Sequence, residues 1–436
     1  MKILSDRFFE LSRLAILSFI ILMAALPALT FLRTEQINYR FYVSFLMVGI
    51  YCLYLFRNLL QGKPIKIDFF IVFFLYMSVR TSIYYDITNV DKFMDNYRSL
   101  SISIFLLVFY VFYKSAIYPK FFFICLYLLM AVAITEFVLG MCQITLGYPV
   151  FDHLLRGEEQ FELENNRNYF AYLIPGLFKS TVLASGTFHH FNYMGSFGCI
   201  CTPIAYTLWL HHKKRFWFVC FVLVFSVVII TFSRGALLAT LVGLFIIYIS
   251  QTNHRSFKLY LVGIVAFIMV FFVSPLIKEY AEETGHAQVR YDTWVYAFNY
   301  ASKHPENLVF GYGLHHIPNE VINNPQVVRI IQYENIMSSV HSTYVQMFIE
   351  QGIVGTILFF LAIFSVFRKM IEYNNLWAFC VIGFSLSYLI NDAFEHSLFT
   401  YLGTLYFCLL GYFQGMLDKN LLNPPEKKDV KVEQVA

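Results

Sequence analysis

The chain has 436 residues, of which 58% are hydrophobic, 19% aromatic and only 14% charged, against roughly a quarter charged in an ordinary soluble domain. So few charges cannot cover a soluble globule of this length, and so much apolar side chain excludes disorder, a collagen-like repeat and a small disulfide scaffold. The formal net charge of +4 is spread without the basic patch that nucleic acid requires, so a polytopic membrane protein remains.

The apolar residues cluster as that class demands. Runs near 12–32, 42–60, 69–85, 100–118, 121–146, 193–211, 216–232, 235–251, 258–276, 343–367, 376–391 and 398–417 are each about long enough to cross a bilayer of roughly 30 Å as a helix. Lipid offers no partner to backbone polar groups, and Phe- and Leu-rich runs without strand alternation argue against a barrel. The expected fold is therefore all-α and polytopic, with about twelve transmembrane helices. The first run follows Lys2, Arg7 and Arg13 and is too long for the core of a cleaved signal peptide, so it is read as an uncleaved helix.

Sorting the charges fixes an orientation. With both termini cytoplasmic, inner segments hold 19 Lys and Arg against 8 acids, and outer segments hold 13 against 20, which satisfies the positive-inside rule. Residues 1–276 then carry spans one to nine with an outer loop at about 147–192. A large outer loop at 277–342 follows, then spans ten to twelve within 343–417 and a polar cytoplasmic tail at 418–436. All eight cysteines fall within predicted spans, where they act as small apolar residues, and no zinc spacing occurs.

Both outer loops are long enough to carry chemistry. The first holds the acidic run Glu158 to Glu164, then Ser185-Gly186-Thr187-Phe188, His189, His190 and Asn192. The second holds Arg290, Trp294, His304-Pro305, Gly311, Gly313, His315 and His316, and ends at His341. Val289, Trp294, Ala297 and Phe298 recur at helical spacing and predict an amphipathic helix over the outer face. Between spans seven and eight only Thr231-Phe232-Ser233-Arg234-Gly235 intervenes. An arginine there either snorkels to headgroups or meets a specific anion.

Four segments together resemble the O-antigen ligase and polymerase superfamily of bacterial surface-polysaccharide enzymes. His341-Ser342, nine residues, then Gly352 and Gly355 is similar to the ligase pattern His-(Asn/Ser/Gln)-x9-Gly-x2-(Gly/Thr/Tyr). Thr231 to Leu238 (TFSRGALL) resembles the family's arginine-bearing helix boundary, and Arg290 to Gly313 its loop of Arg, amphipathic helix, His-Pro and glycines. Ser185 to Asn192 (SGTFHHFN) resembles a stretch found in ligases and polymerases alike, so the likeness spans roughly 185–396. It implies a GT-C-like glycosyltransferase of the bacterial inner membrane with its active site on the periplasmic face. The donor it implies is an undecaprenyl-diphosphate-linked glycan and the acceptor a sugar hydroxyl of lipid A-core, with Arg234, Arg290 and His341 as the functional residues. The paired Arg-x15-Gly motifs of polymerases are missing, because Glu306 and Leu183 stand sixteen residues after Arg290 and Arg167.

The residues suit that chemistry. Cleaving a lipid-linked glycosyl diphosphate leaves negative charge on the leaving group, and the chain contains no Asp-x-Asp motif to hold a divalent metal. No metal or other cofactor is therefore expected; guanidinium groups, charged at any relevant pH and able to fork onto phosphate oxygens, serve instead. A neutral imidazole at His341 is a suitable base for the acceptor hydroxyl, although a helix-start histidine bonded to backbone is the plainer alternative. One displacement of this kind inverts the anomeric centre. Arg80, Asp392, Glu395 and His315 are further candidates to line a substrate cleft, each equally compatible with a headgroup contact or a solvated loop. Glu350 lies in span ten, and Glu136, the most deeply embedded acid, calls for a partner. A polymerase extending lipid-linked repeats is the rival enzyme. A transporter or flippase is the rival class, but the ionisable residues crowd the outer boundary and no repeat relates the halves.

Overall fold

The computed structural model describes residues 69–83, 108–146, 184–188, 191–251, 294–295, 298–299, 301–313, 342–395, 397–398 and 401–422. The expected first, second and ninth spans, most of both long loops, and the site candidates Arg290, His315 and His341 lie outside the described residues. Among the described residues the regular structure is entirely helical: α1 Phe69–Ile83, α2 Val108–Ser115, α3 Pro119–Leu146, α4 Phe191–His212, α5 Arg215–Ile230, α6 Arg234–Ser250, α7 Pro305–Phe310, α8 Thr343–Tyr373, α9 Leu376–Asp392 and α10 Tyr401–Asp418. Seven of these, α1, α3 to α6, α9 and α10, follow their apolar runs to within about three residues, because the length of an uncharged run sets the length of the helix. Two, Pro119–Thr145 and Thr343–Tyr373, are long and apolar enough to cross a membrane.

The fold is apolar outside as well as inside. Phe69, Val72, Leu75 and Val79 form an exposed stripe along α1, and Ile353, Ile357, Phe360, Phe364 and Ile371 form another along α8. Glu136, Gln143, Thr202, Glu350, Asn391 and Asp392 are buried instead. Water would penalise such stripes, whereas lipid solvates them and drives ionisable groups inward.

Helices α4, α6 and α9 pack as a tight trio on small residues. A Cβ on Gly243 of α6 would overlap Ser387 and the Gly383 backbone of α9, and one on Gly198 of α4 would overlap Val228 of α5. Close backbone approach of this kind holds helices together in lipid, where apolar side chains gain little by leaving it. At the opposite end from the α9 C-terminus, Asp418 accepts from Tyr113 at 2.6 Å and from Tyr373, and Lys369 lies 3.5 Å away. That clasp joins α2, α8 and α10.

One element departs from the sequence expectation. Gly352 and Gly355 read as two small residues on one continuous helix, but α8 is broken at Gly352, whose φ of 65° and ψ of −172° are non-helical. This region is open essentially only to glycine. The carbonyls freed by the break receive donors from elsewhere: Tyr312 N–H to Ile349 O at 3.0 Å and Gly313 N–H to Glu350 O at 2.7 Å, and Tyr76 Oη–H to Gln351 O at 2.7 Å. Gly352→Ala forces a Cβ into the Val309 carbonyl and the Gly311 amide and is expected to destabilise the fold by about 1–3 kcal/mol or more. Thermal unfolding in detergent checks this; an unchanged midpoint would show that residue 352 tolerates a side chain.

Candidate functional site

The starts of α4, α6 and α8 meet the end of α9, and that end of the bundle holds most of the sequence-predicted residues that are described. Its first component is the turn between α5 and α6. Thr231 Oγ1–H bonds to Val228 O at 2.8 Å and receives Ser233 N–H at 3.3 Å, so the reversal is completed in three residues. Gly195 of α4 lies under this turn, where a Cβ would touch Ala236, Ser233 and Thr231. Arg234 is the first residue of α6, and its side chain is exposed. A cation at a helix N-terminus stands at the positive end of the helix dipole, the unfavourable place for it unless an anion is shared. Gly235 then faces Asn391 and Phe394, with room for a Cβ only at 3.5 Å from either.

The end of α9 in turn fixes the start of α8. Asp392 is fully buried, and its carboxylate accepts Thr343 Oγ1–H at 3.0 Å, Ser397 N–H at 3.3 Å and the Ser397 hydroxyl. Tyr388 Oη lies 3.0 Å from that same hydroxyl. The Glu395 carbonyl accepts Thr343 N–H at 3.0 Å, and its side chain accepts Asn192 Nδ2–H at 2.6 Å from the first turn of α4. Ser342 caps α8 by accepting Val345 N–H. Residue 343, two beyond His341, is thus tied to both α9 and the segment that follows it. Beside it, Trp294, Val295, Phe298, Tyr344, Val345 and Phe348 line an apolar groove between the amphipathic loop segment and α8. Trp294, Val295, Phe298, Asn299, Ala301 and Ser302 are helical, in keeping with the sequence reading there.

Arg80 sits elsewhere, at the break in α8 about 13 Å along the helix from Thr343 at 1.5 Å per residue. Its Nε donates to Phe310 O at 2.8 Å and Gly311 O at 3.1 Å, and its Nη2 donates to Gly311 O. One turn earlier on the same face, Tyr76 Oη lies 2.9 Å from Phe310 O. These two side chains seat the 310–313 loop in the α8 break, where a Cβ on Gly311 would overlap the Glu350 carbonyl. Two segments of the family likeness, the Gly311–Gly313 loop and the Gly352–Gly355 pair, therefore touch.

The structure brings together Arg234, Asp392, Glu395 and the start of α8, and sets Arg80 apart from them. Sequence reasoning missed Tyr76, Asn192, Thr343 and Ser397 as its bonding partners. Tyr76 left a signal in its i, i+4 spacing from Arg80, and Asn192 in the Ser185–Asn192 stretch. Among the described residues no group of three or more His, Cys, Asp or Glu is arranged to hold a metal ion.

Residues 197–360 match a family model described as O-Antigen ligase. The match contains Arg234, Arg290, His341, Gly352 and Gly355 and is narrower than the 185–396 span of the likeness read from motifs. No curated protein matches the chain. Asp392→Ala leaves the buried Thr343 and Ser397 hydroxyls without their acceptor and is expected to cost about 1–3 kcal/mol. Faster amide exchange confined to the first turn of α8 and to residues 391–398 is the accompanying sign; exchange unchanged there would rule out the anchoring role.

Proposed function

We propose that the chain, whose residues 197–360 match the O-Antigen ligase family model, belongs to that family and transfers a glycan from undecaprenyl diphosphate to a sugar hydroxyl of lipid A-core at the periplasmic face of the inner membrane. The observation that carries this reading is the convergence of the exposed Arg234 at the α6 start with the α8 start anchored at Thr343, joined through Asn391 to Glu395.

The electrostatics favour an anionic leaving group. Helices α4, α6 and α8 begin at this end and α5 and α9 finish there, so three positive and two negative dipole ends meet beside the Arg234 guanidinium. Asp392 is turned inward to Thr343 and Ser397, and Glu395 accepts from Asn192. We assign both acids to positioning the α8 start. Arg234 and Arg290 then bind the diphosphate oxygens, and His341 takes the proton of the attacking hydroxyl as the C–O bond to the diphosphate breaks. The new bond forms on the opposite face, with inversion. The aromatic groove from Trp294 to Phe348 suits the first isoprene units of the donor.

The geometry of α8 is consistent with a site at the water boundary. Its 31 residues make about 46 Å at 1.5 Å per residue, longer than the roughly 30 Å hydrocarbon core. The exposed apolar stripe on α8 begins at Ile353, just past the break. The portion beyond Gly352 matches the core by itself, at about 31 Å. Thr343 to Gln351 then stand above it, with the polar Gln346 and Glu350 packed into protein.

The test is transfer by purified protein from undecaprenyl-diphosphate glycan to lipid A-core. Arg234→Ala, Arg290→Ala and His341→Ala are each expected to lower kcat by about 100- to 1000-fold, the scale of a lost oxyanion donor, and chelator is expected to leave wild-type turnover unchanged. Longer lipid-linked glycan without transfer to lipid A-core would make the enzyme a polymerase. Full activity in all three variants would remove the proposed site.

A further inference from the structure

Glu136 is buried in the middle of α3, one of the two longest apolar helices, and takes no part in the chemistry above. Its carboxylate accepts Thr187 N–H at 2.8 Å on one oxygen and Thr187 Oγ1–H at 2.6 Å on the other. Gln143, two turns along the same face, accepts Ser185 N–H at 3.0 Å and Gly186 N–H at 2.9 Å, and donates to Gly186 O at 2.6 Å. A bond from Phe188 N–H to Ser185 O at 2.9 Å closes the turn. Gly186 has a φ of 58°, and a Cβ there would collide with the Glu136 carboxylate. Two side chains of α3 thus satisfy three consecutive amides and one carbonyl of a turn buried among apolar residues, where unmet backbone groups are costly.

The turn leads directly into α4, and α4 leads to the site. Asn192 in its first turn donates to Glu395, whose carbonyl accepts Thr343 N–H. Ser196, one turn further on, donates to Asn192 O at 3.0 Å and receives Asn391 Nδ2–H at 2.7 Å. We infer that Glu136 is a positioning residue for the transferase: it seats the Ser185–Phe188 turn, which sets the α4 start and, through Asn192 and Glu395, the start of α8. The role needs a hydrogen-bonding side chain of this length and shape, and does not need a charge. A glutamine satisfies it, accepting Thr187 N–H and donating to Thr187 Oγ1. The inference rests on the transferase reading, and its test is built to separate the two.

Full-length Glu136→Ala, Glu136→Gln and wild type are compared in nanodiscs by amide exchange and by glycan transfer. Glu136→Ala is expected to speed exchange both at 185–195 and at 342–350, and to lower kcat by about 10- to 100-fold, as misplacement of a catalytic group does, with donor KM within about threefold. Glu136→Gln is expected to restore both readouts to near wild type. Faster exchange confined to 185–195, wild-type kcat in Glu136→Ala, or a Gln variant as inactive as Ala would each overturn the inference. Wild type that transfers nothing, with exchange at 342–350 still coupled to residue 136, would overturn the transferase reading and leave the positioning path standing.

Discussion

A polypeptide in lipid has one unavoidable obligation, to meet every backbone N–H and C=O that leaves the helix ladder. Three such departures shape the end of this bundle. At 185–188 the turn is met by Glu136 and Gln143; at 231–233 it is met by the Thr231 hydroxyl; at 349–351 the freed carbonyls are met by Tyr312, Gly313 and Tyr76. Each repair crosses from one helix or loop to another except the second, which is local. The repairs therefore do more than avoid a desolvation cost: they set where α4, α6 and α8 begin or resume, and those starts carry the candidate site.

The same wiring explains how buried acids are accommodated in this bundle. A carboxylate that accepts two or three hydrogen bonds from neighbouring donors has its lone pairs directed away from the cleft, and its field is partly cancelled by those donors. Asp392 and Glu136 are both used in this way, each with a threonine as bidentate or shared partner. Arg80 follows the complementary logic, its guanidinium turned to the carbonyls of Phe310 and Gly311 in place of an acid. Arg234, at the start of α6, is exposed.

Much of this was legible in the sequence wherever a one-dimensional property sufficed. Apolar run length gave α1, α3 to α6, α9 and α10 nearly to the residue, and the short Thr231–Gly235 connection marked Arg234 before any coordinates. The break at Gly352 was not legible, because a glycine in an apolar helical pattern reads equally as a packing contact; its conformation depends on a loop some forty residues earlier. Glu136 stood out as an anomaly, yet its partner Thr187 lies 51 residues away, a distance no local pattern spans. Asp392 reads in the sequence as a cleft-lining candidate or a headgroup contact alike, since its burial and its bonds to Thr343 and Ser397 follow from tertiary packing alone.

This division of labour bears on how one scaffold serves different acceptors. On the transferase reading proposed above, the described parts hold a leaving group and a helix start, and both tasks are the same whether the incoming hydroxyl belongs to lipid A-core or to another lipid-linked repeat. Inverting attack fixes only the line of approach and the position of the base; nothing in it distinguishes one acceptor sugar from another. On that reading, acceptor choice resides in whatever borders that line of approach. The α8 start is held by α9 through Asp392 and by α4 through Asn192 and Glu395, so the Ser185–Phe188 turn and Asn192 belong to that seat.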